Sequence, residues 1–448
     1  MRSSFQNRWQ VVARCGFALL LFQCCGCAHV AVVKLKPARL PKTFVAKGPL
    51  ESANKYLAAA KHEQPLPALG HDLLAAKIFY GELERRSEDK SARDLYNFAV
   101  ARTLQDIEQS NLQPWRHPAI VATDEGNYIL SSPKPIDAEH DPSQYDRIPT
   151  DTLKIAGRFF ENHSTTDGFG APIVAVRRSE NARSRAQYAF HRTYVSVTAI
   201  LRFSGRNAEL EFMDPLNRER ITAAKYAFPL AADFDASVAM LIAREHPERL
   251  GFSRTMNPDA YADTTRLFRL QHFDPAKTPV IFVHGLQDTP AGWAPMINAL
   301  RDDPSIREHY QFWVFSYPSG YPYPYSAALF RRNLDGIERA FPNHKRIVLI
   351  GHSMGGLICR LMVTDSGDKI WRSFFATAPA RTPLNRETRH ILEEALVFRH
   401  RSEVERVVFI RRLIAAASSP RAGSAGSALL LSTNRSPFPP CMPRPNRS

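Results

Sequence analysis

The sequence predicts an α/β protein whose parallel sheet is preceded by a helical region and a β-rich region. Three patterns indicate this organisation: apolar residues at helical spacing in residues 48–111, short alternating runs in residues 112–268, and strand, turn and helix signals repeated over residues 278–410. All-apolar strands that alternate with helices are typical of a parallel sheet covered on both faces.

The composition indicates a folded chain without a strong preference for polyanions. With 448 residues, 44% of them hydrophobic and 23% charged, the chain is long enough for about three compact units. The formal charge is +15, but six arginines follow Ile410 and three lie within the first fourteen residues, which leaves +6 for the body. A body of this charge gives no reason to expect a nucleic-acid partner.

Residues 1–27 have the pattern of an export signal. Three arginines precede an apolar run at residues 15–22, which is too short to span a bilayer as a mature helix. Cys27 closely follows this run, and the segment resembles a bacterial lipoprotein signal, in which such a cysteine is lipidated and becomes the mature N-terminus. We therefore expect export to the bacterial cell envelope and a membrane anchor at Cys27. Lipidation at Cys24 and a plain cleaved signal are the alternatives.

The two regions that follow are predicted from their periodicity alone. Residues 48–111 favour three helices, the third of which has the small and aromatic pattern of a tetratricopeptide helix. No second copy of that repeat is found, so a plain helical bundle is expected. Residues 112–268 carry strand signals such as those at residues 172–176 and 194–201, and no chemistry is assigned to them.

The last part of the chain repeats a strand and helix rhythm. Strands are predicted at residues 280–283, 312–315, 347–350 and 406–410, with helices at residues 293–300, 327–340 and after Ser353.

The strongest signal for chemistry is Gly-His-Ser-Met-Gly-Gly at residues 351–356, between an apolar strand and a stretch that favours a helix. This is the context of a nucleophile elbow, a sharp turn that projects a serine hydroxyl into a cleft. Gly351 and Gly355 lack the Cβ atoms that would keep the strand and the helix apart. The pattern predicts Ser353 as a nucleophile and the backbone N–H of Met354 as a donor to the developing oxyanion.

A second segment agrees with the elbow. Val283-His284-Gly285-Leu286 ends an earlier strand and is followed by Trp293; together with the elbow, it resembles the α/β-hydrolase superfamily, esterase and lipase branch, over residues 278–410. The resemblance implies that the backbone N–H of Leu286 completes the oxyanion hole and that the substrate is a small-molecule or lipid ester.

The other motifs of this part carry no assigned chemistry. We interpret His284 and His352 as structural residues. The aromatic loop at residues 317–325 either lines an acyl or aryl pocket or is a stiff surface loop. Because no phosphate-binding glycine loop, metal-ligand cluster or flavin signature stands out, we expect no cofactor and no metal.

The partners of Ser353 are not identifiable in the sequence. In this superfamily an acid and then a histidine follow the serine along the chain. After Ser353 the only histidines are His390 and His400, and both precede the strand at residues 406–410. Family members place the catalytic histidine after the last strand, but the 38 residues after Ile410 contain no Asp, Glu, His or Lys. We therefore expect the hydrolase core to be incomplete at its C-terminus.

Residues 411–448 have the composition of a low-complexity tail, and a frameshift explains how they begin. Related hydrolases often continue this strand with Ala-Thr-Pro-His-Arg-Gly-Ser, which the codons GCG ACG CCT CAT CGC GGC AGC encode. Without the first base these codons read Arg-Arg-Leu-Ile-Ala-Ala-Ala, which is residues 411–417 of this chain. A single-base shift after Ile410, in the gene or in its sequencing, is therefore the leading hypothesis. A natural low-complexity tail is the alternative.

Two functions of different classes fit these observations. The first is an exported serine hydrolase of carboxylic esters, impaired in the chain as written because a serine needs a base. Thioester and amide substrates would use the same elbow. The alternative is a noncatalytic envelope lipoprotein that binds a protein partner through its helical region.

Overall fold

The computed structural model describes residues 31–41, 49–137, 140–157, 159–160, 163–178, 192–245 and 250–410. The export signal with Cys27 and the tail at residues 411–448 lie outside these ranges. Across the described ranges, no helix combines the length and the apolar composition that crossing a bilayer requires.

Three helices form the first compact layer, as the periodicity predicts. They are α1 (Pro49–Ala60), α2 (Pro65–Leu83) and α3 (Lys90–Gln109). Proline opens α2, at a position where no intrahelical N–H is needed. The Asp89 carboxylate caps α3 by accepting the N–H of Ala92 at 2.9 Å. Local chemistry therefore sets where these helices begin.

The β-rich region forms a six-stranded sheet and three small two-stranded pairs. Its strands are β1 (Val32–Leu35), β2 (Ala119–Val121), β3 (Tyr128–Ser131), β4 (Tyr145–Pro149), β5 (Leu153–Ala156), β6 (Thr165–Thr166), β7 (Ala171–Arg178), β8 (Arg192–Ser204), β9 (Asn207–Met213), β10 (Arg220–Ala223), β11 (Tyr226–Pro229) and β12 (Ala232–Asp233). The large sheet has the order β2-β3-β9-β8-β7-β4, and the pairs are β1 with β5, β10 with β11 and β6 with β12.

The three helices pack their apolar faces on one side of the six-stranded sheet. Leu69, Leu73 and Phe79 of α2 share one buried cluster with Leu201 and Leu210 of the sheet. The hydroxyl of Tyr96 on α3 donates to the carbonyl of Leu201 at 2.7 Å and accepts its N–H at 2.9 Å. The helical and β-rich regions therefore share one core.

Residues 234–245 and 250–256, which the sequence analysis placed in the β-rich region, form two helices instead. These are α4 (Phe234–Glu245) and α5 (Leu250–Met256). Ala236 and Met240 of α4 pack against the six-stranded sheet, whereas Val238 and Ile242 pack toward Ala294 of the next domain. A helix buried on both sides has apolar residues all round, so its sequence lacks the polar face that marks a surface helix.

The C-terminal part of the described chain is a five-stranded sheet covered by helices. Its strands are β13 (Arg266–Arg269), β14 (Thr278–Val283), β15 (Tyr310–Ser316), β16 (Ile347–His352) and β17 (Val404–Ile410), in the order β13-β15-β14-β16-β17. The helices are α6 (Ala294–Asp302), α7 (Pro304–His309), α8 (Tyr323–Ala340), α9 (Met354–Met362), α10 (Lys369–Phe374) and α11 (Arg386–Leu396).

This sheet is parallel from β14 to β17, as the strand and helix rhythm predicts. Phe330 of α8 and Ile358 of α9 are buried on one face, and Trp293 and Ile297 are buried on the other. β13 differs from the prediction, because it lies in the range assigned to the β-rich region but pairs antiparallel with β15. The sheet thus begins at Arg266 rather than at residue 278.

The strand order creates a switch point between β14 and β16. From β14 the chain moves outward to β15, then crosses back over β14 to β16 and continues outward to β17. In open α/β sheets, ligands bind in the crevice beyond the carboxyl ends of the two strands that flank such a point. The fold therefore predicts a ligand site beside the residues that follow Val283 and His352.

β17 pairs on one side only with a described strand and is less buried than its neighbours. Five of the six residues of β14 are buried, whereas only Val404 of the seven residues of β17 is. Val407, Val408, Phe409 and Ile410 are half-exposed although all four are apolar. The apolar run at residues 407–410 would normally be covered on both faces of a parallel sheet, so this end of β17 is under-covered in the described part.

Polar contacts join the β-rich region to the C-terminal sheet. The Ser164 hydroxyl donates to the Asp302 carboxylate at 3.1 Å, and Arg307 pairs with Glu219 at 3.1 Å. Arg301 is fully buried and donates to the carbonyl of Leu270 at 2.9 Å. Burial lowers the pKa of Arg301 to about 10, against the opposing field of neighbouring carboxylates, so it remains charged at neutral pH.

The carboxyl groups of Asp72 and Asp106 meet between α2 and α3, and they make stability depend on pH. Asp72 is 3% exposed. Burial first, and then the Asp106 carboxylate, raise its pKa, and burial also raises the pKa of Asp106. Because the folded pKa of Asp72 lies above the unfolded value of 3.8, the folded state favours the protonated carboxyl group. Its contribution to the free energy of unfolding is complete below pH 3.8 and is lost as the pH rises through the folded pKa.

Asp72→Asn should therefore stabilise the protein at pH 8, by on the order of 2 kcal/mol, and have little effect at pH 4.5. Urea unfolding followed by circular dichroism at both pH values measures this difference. Asp146→Asn, on the exposed side of β4, removes the same charge and should show no such pH dependence. Equal effects of the two substitutions at pH 8 would contradict the prediction.

Candidate active site

Ser353 is the single residue between β16 and α9, and its backbone is strained. Its φ is 51° and its ψ is −120°, a combination that side chains with a Cβ rarely adopt. The side chain is exposed. Strain at an exposed polar residue between a buried strand and a helix is the conformation that a nucleophile elbow requires.

Two glycines allow the segments around this turn to touch. A Cβ on Gly355 would lie 2.2 Å from the carbonyl oxygen of Val283, and one on Gly351 would lie 2.6 Å from the carbonyl oxygen of Gly355. Both distances are shorter than any real Cβ contact, so only glycine fits at either position. The structure thus gives these two glycines the steric role that the sequence predicts.

The loop after β14 lies directly against the serine. A Cβ built on Gly285 would lie 3.2 Å from the Cβ of Ser353 and 3.2 Å from the Nδ1 of His352. Leu286, the next residue, is 54% exposed. Met354 is the first residue of α9. The structure therefore brings together the three predicted site residues Ser353, Leu286 and Met354 at the carboxyl ends of β14 and β16.

His284 is a structural residue of this loop. It is fully buried, its ring stacks on Tyr317 with centroids 4.3 Å apart, and its carbonyl accepts the Tyr317 hydroxyl at 2.7 Å. Burial lowers the pKa of His284 to about 3, so the ring is neutral at physiological pH. Its Nδ1 faces the carbonyl of Gly285 at 3.0 Å. Its position supports the sequence-based interpretation.

His352 packs into the wall of the site. Its ring is perpendicular to that of Trp293, with centroids 6.3 Å apart, and lies beside Gly285. Asp288 on the same loop is half-buried and interacts electrostatically with His352; burial raises the pKa of Asp288 even though its carboxylate accepts the N–H of Thr289 at 2.8 Å. These contacts fit a structural role for His352.

The aromatic loop at residues 317–325 is mainly a stiff support. Tyr317 is fully buried and stacks on Phe315 as well as on His284. The hydroxyl of Tyr321 donates to Asp259 at 2.9 Å, and Tyr323 begins α8 and is 42% exposed. Tyr317 therefore supports the loop that carries His284 from inside the domain.

The two histidines that follow Ser353 are not placed to serve it. His400 pairs with Asp365 at 2.9 Å, an arrangement that resembles half of a triad. It lies where β16 and β17 begin, because the Ile347 N–H donates to the nearby carbonyl of Glu403. Ser353 lies at the other end of β16, about 20 Å away at 3.3 Å per residue.

His390 lies on the exposed side of α11, with its Nε2 3.7 Å from Glu394. In residues 250–410, therefore, neither histidine after Ser353 hydrogen-bonds to it.

The chain leaves the described part beside the nucleophile. The N–H of Ser353 donates to the carbonyl of Ile410 at 3.2 Å. Residue 411 thus follows a residue that already contacts Ser353. The last described residue therefore lies in direct contact with Ser353.

Two residues that hold the loop after β14 in place were not predicted from the sequence. Asp288 folds back onto its own loop, and Ser319 accepts the N–H of Gln287 at 3.1 Å. The Asp-Thr-Pro run at residues 288–290 is a turn signature and could have revealed the first. Nothing local marks Ser319, because its partner is thirty-two residues away along the chain.

No group of three or more His, Cys, Asp or Glu residues in the described ranges is arranged to hold a metal ion.

Comparison with known families agrees with this geometry. Residues 280–445 match the model of the alpha/beta hydrolase family. This part of the chain is similar to the α/β hydrolases. The match begins in β14, includes both segments that carry the predicted site residues, and supports hydrolase activity in general. Curated proteins and solved structures gave no match.

The strain at Ser353 predicts a gain of stability when the nucleophile is removed. Ser353→Gly should raise the free energy of unfolding by about 1 kcal/mol, because glycine adopts this backbone conformation without strain. Ser353→Ala, which also removes the hydroxyl but keeps the Cβ, is the matched control and should gain nothing. Urea unfolding of the three proteins measures the difference. Equal stability of the glycine and alanine variants would show that the turn is unstrained.

Proposed function

We propose that this protein is an exported serine hydrolase that cleaves carboxylic esters of small molecules or lipids. The observation that carries the proposal is the strained turn that presents Ser353 beside the Gly285-Leu286 segment at the switch point of the parallel sheet. A nucleophile on such a turn, with backbone N–H groups close by, suits attack on a carbonyl carbon.

The chemistry assigns one role to each residue. The Oγ of Ser353 attacks the ester carbonyl and gives its proton to a histidine base, so that the carbonyl becomes a tetrahedral oxyanion. The backbone N–H groups of Leu286 and Met354 stabilise that negative charge, which is absent from the ground state. The histidine returns the proton to the leaving alcohol, and water then hydrolyses the acyl-enzyme.

The base and its acid belong to the continuation of β17. The two histidines after Ser353 in the described part are unsuitable, and β17 ends in contact with the nucleophile. We propose that a single-base shift after Ile410 has replaced this continuation with residues 411–448, although the family match extends to residue 445. The half-exposed apolar edge of β17 supports the proposal, because further strands would cover it.

We also propose that the protein is anchored to the cell envelope through Cys27. The support is the sequence pattern alone. An anchored enzyme would meet its esters at or near the membrane surface.

The alternative, a noncatalytic lipoprotein whose helices bind a protein, is less well supported. The apolar faces of α1, α2 and α3 are buried against the six-stranded sheet. A partner would find only the outward, more polar face.

Sequencing the gene across codons 405 to 448 tests the frameshift. We expect one further base after codon 410, and a restored frame that encodes more strands with an acid and a histidine. An uninterrupted gene whose other frames lack such a continuation would refute the shift and favour a natural tail.

Covalent labelling tests the chemistry. A fluorophosphonate probe should label Ser353 in the restored-frame protein, and Ser353→Ala should abolish both the labelling and the hydrolysis of short-chain nitrophenyl esters. The 448-residue chain should turn over at least about 10³-fold more slowly, because it keeps the oxyanion donors but lacks the base. Normal turnover by the 448-residue chain would contradict this account of its missing base. A restored protein with no reactive serine would favour the noncatalytic alternative.

A further inference from the structure

The backbone that follows Leu286 is held by an unusual set of contacts from outside its own loop. Gln287 has a φ of 58°, a left-handed conformation that is costly for a residue with a side chain. Its N–H donates to the Oγ of Ser319 at 3.1 Å. Its carbonyl oxygen packs on Gly251, where a Cβ would lie only 2.7 Å away. Gln287 is therefore clamped from both sides.

The clamp is one end of a chain of hydrogen bonds that reaches α5. The Oγ of Ser319 lies 2.8 Å from the Oγ1 of Thr255, and Thr255 donates its hydroxyl proton to the carbonyl of Gly251 at 2.9 Å. Because that proton is used, the hydroxyl of Ser319 must donate to Thr255. Each hydroxyl thus donates once and accepts once, and the bonds polarise one another in the same direction.

Further contacts fix α5 to the end of β15. Ser319 is 2% exposed, and the N–H of its neighbour Gly320 donates to the carbonyl of Arg254 at 3.4 Å. A Cβ on Gly320 would lie 2.1 Å from the carbonyl oxygen of Thr255. The Arg254 guanidinium donates to the hydroxyl of Ser316 at 3.0 Å. α5 is therefore a rigid base for the chain of hydroxyls.

We propose that Ser319 and Thr255 are positioning residues that hold the amide of Leu286 in place for the oxyanion. On one side of Leu286, Gly285 is fixed by its packing against Ser353; on the other, Gln287 is fixed by Ser319. The inference rests on the proposed function. It also means that α5, which lies outside the family-matched residues 280–445, takes part in the site.

The kinetic test separates positioning from folding. Ser319→Ala and Thr255→Val break the chain of hydroxyls. In the restored-frame protein we expect each to lower the Ser353-dependent kcat for a nitrophenyl ester about tenfold, with KM within about twofold, because only the transition state carries the oxyanion. Thr255→Ser keeps the hydroxyl and should restore kcat. Thr264→Val is the matched control, because Thr264 also donates to a backbone carbonyl but lies outside the chain of hydroxyls.

Hydrogen exchange supplies a readout that does not require turnover. In Ser319→Ala and Thr255→Val, the amide of Gln287 should exchange at least about tenfold faster, while amides of β14 and β16 should be unchanged. If, in the restored-frame protein, Ser353→Ala hydrolyses the ester as well as the parent protein does, the proposed function fails and exchange alone decides whether the contacts of Gln287 exist. Unchanged exchange, or a kcat equal to that of Thr264→Val in a Ser353-dependent enzyme, would overturn the inference.

Discussion

The close approach of β14 and the turn after β16 is the constraint on which the site depends. The carbonyl of Val283 occupies the space where Gly355 would carry a Cβ, and Gly285 lies against Ser353. This contact lets α9 begin immediately after the nucleophile and sets the loop after β14 beside it. A side chain at Gly355 would separate the strand end from the helix and move Leu286 away from Ser353. Backbone packing, more than any side-chain contact, therefore builds the site.

The two helices that precede the C-terminal sheet, α4 and α5, also support the site. α4 is buried between the six-stranded sheet and the C-terminal domain, and α5 follows it and supports the loop at Gln287. Polar contacts such as that of the Ser164 hydroxyl with the Asp302 carboxylate also join the β-rich region to the C-terminal domain. The region before residue 278 therefore contributes to the geometry of the C-terminal domain as well as to its stability.

The carboxyl end of β17 meets the turn that carries Ser353. Ile410 is both the last residue of a strand that is only partly buried in the described part of the chain and the residue that accepts the N–H of Ser353. The His400 and Asp365 pair shows why sequence order alone is not enough: the residue types fit, but the pair lies near the amino ends of β16 and β17, whereas Ser353 follows the carboxyl end of β16.

The sequence by itself determined the four parallel strands and the glycine-flanked turn at Ser353, because these depend on local patterns: apolar runs of strand length and a serine between a strand and a helix. It also indicated the loop at Leu286. Only the tertiary structure decided what lies around them. α4 has no polar face to reveal it, β13 pairs with a strand more than forty residues further along the chain, and Ser319 contacts Gln287 only once the ends of β14 and β15 lie side by side. Such contacts depend on the strand order, which no short stretch of sequence encodes.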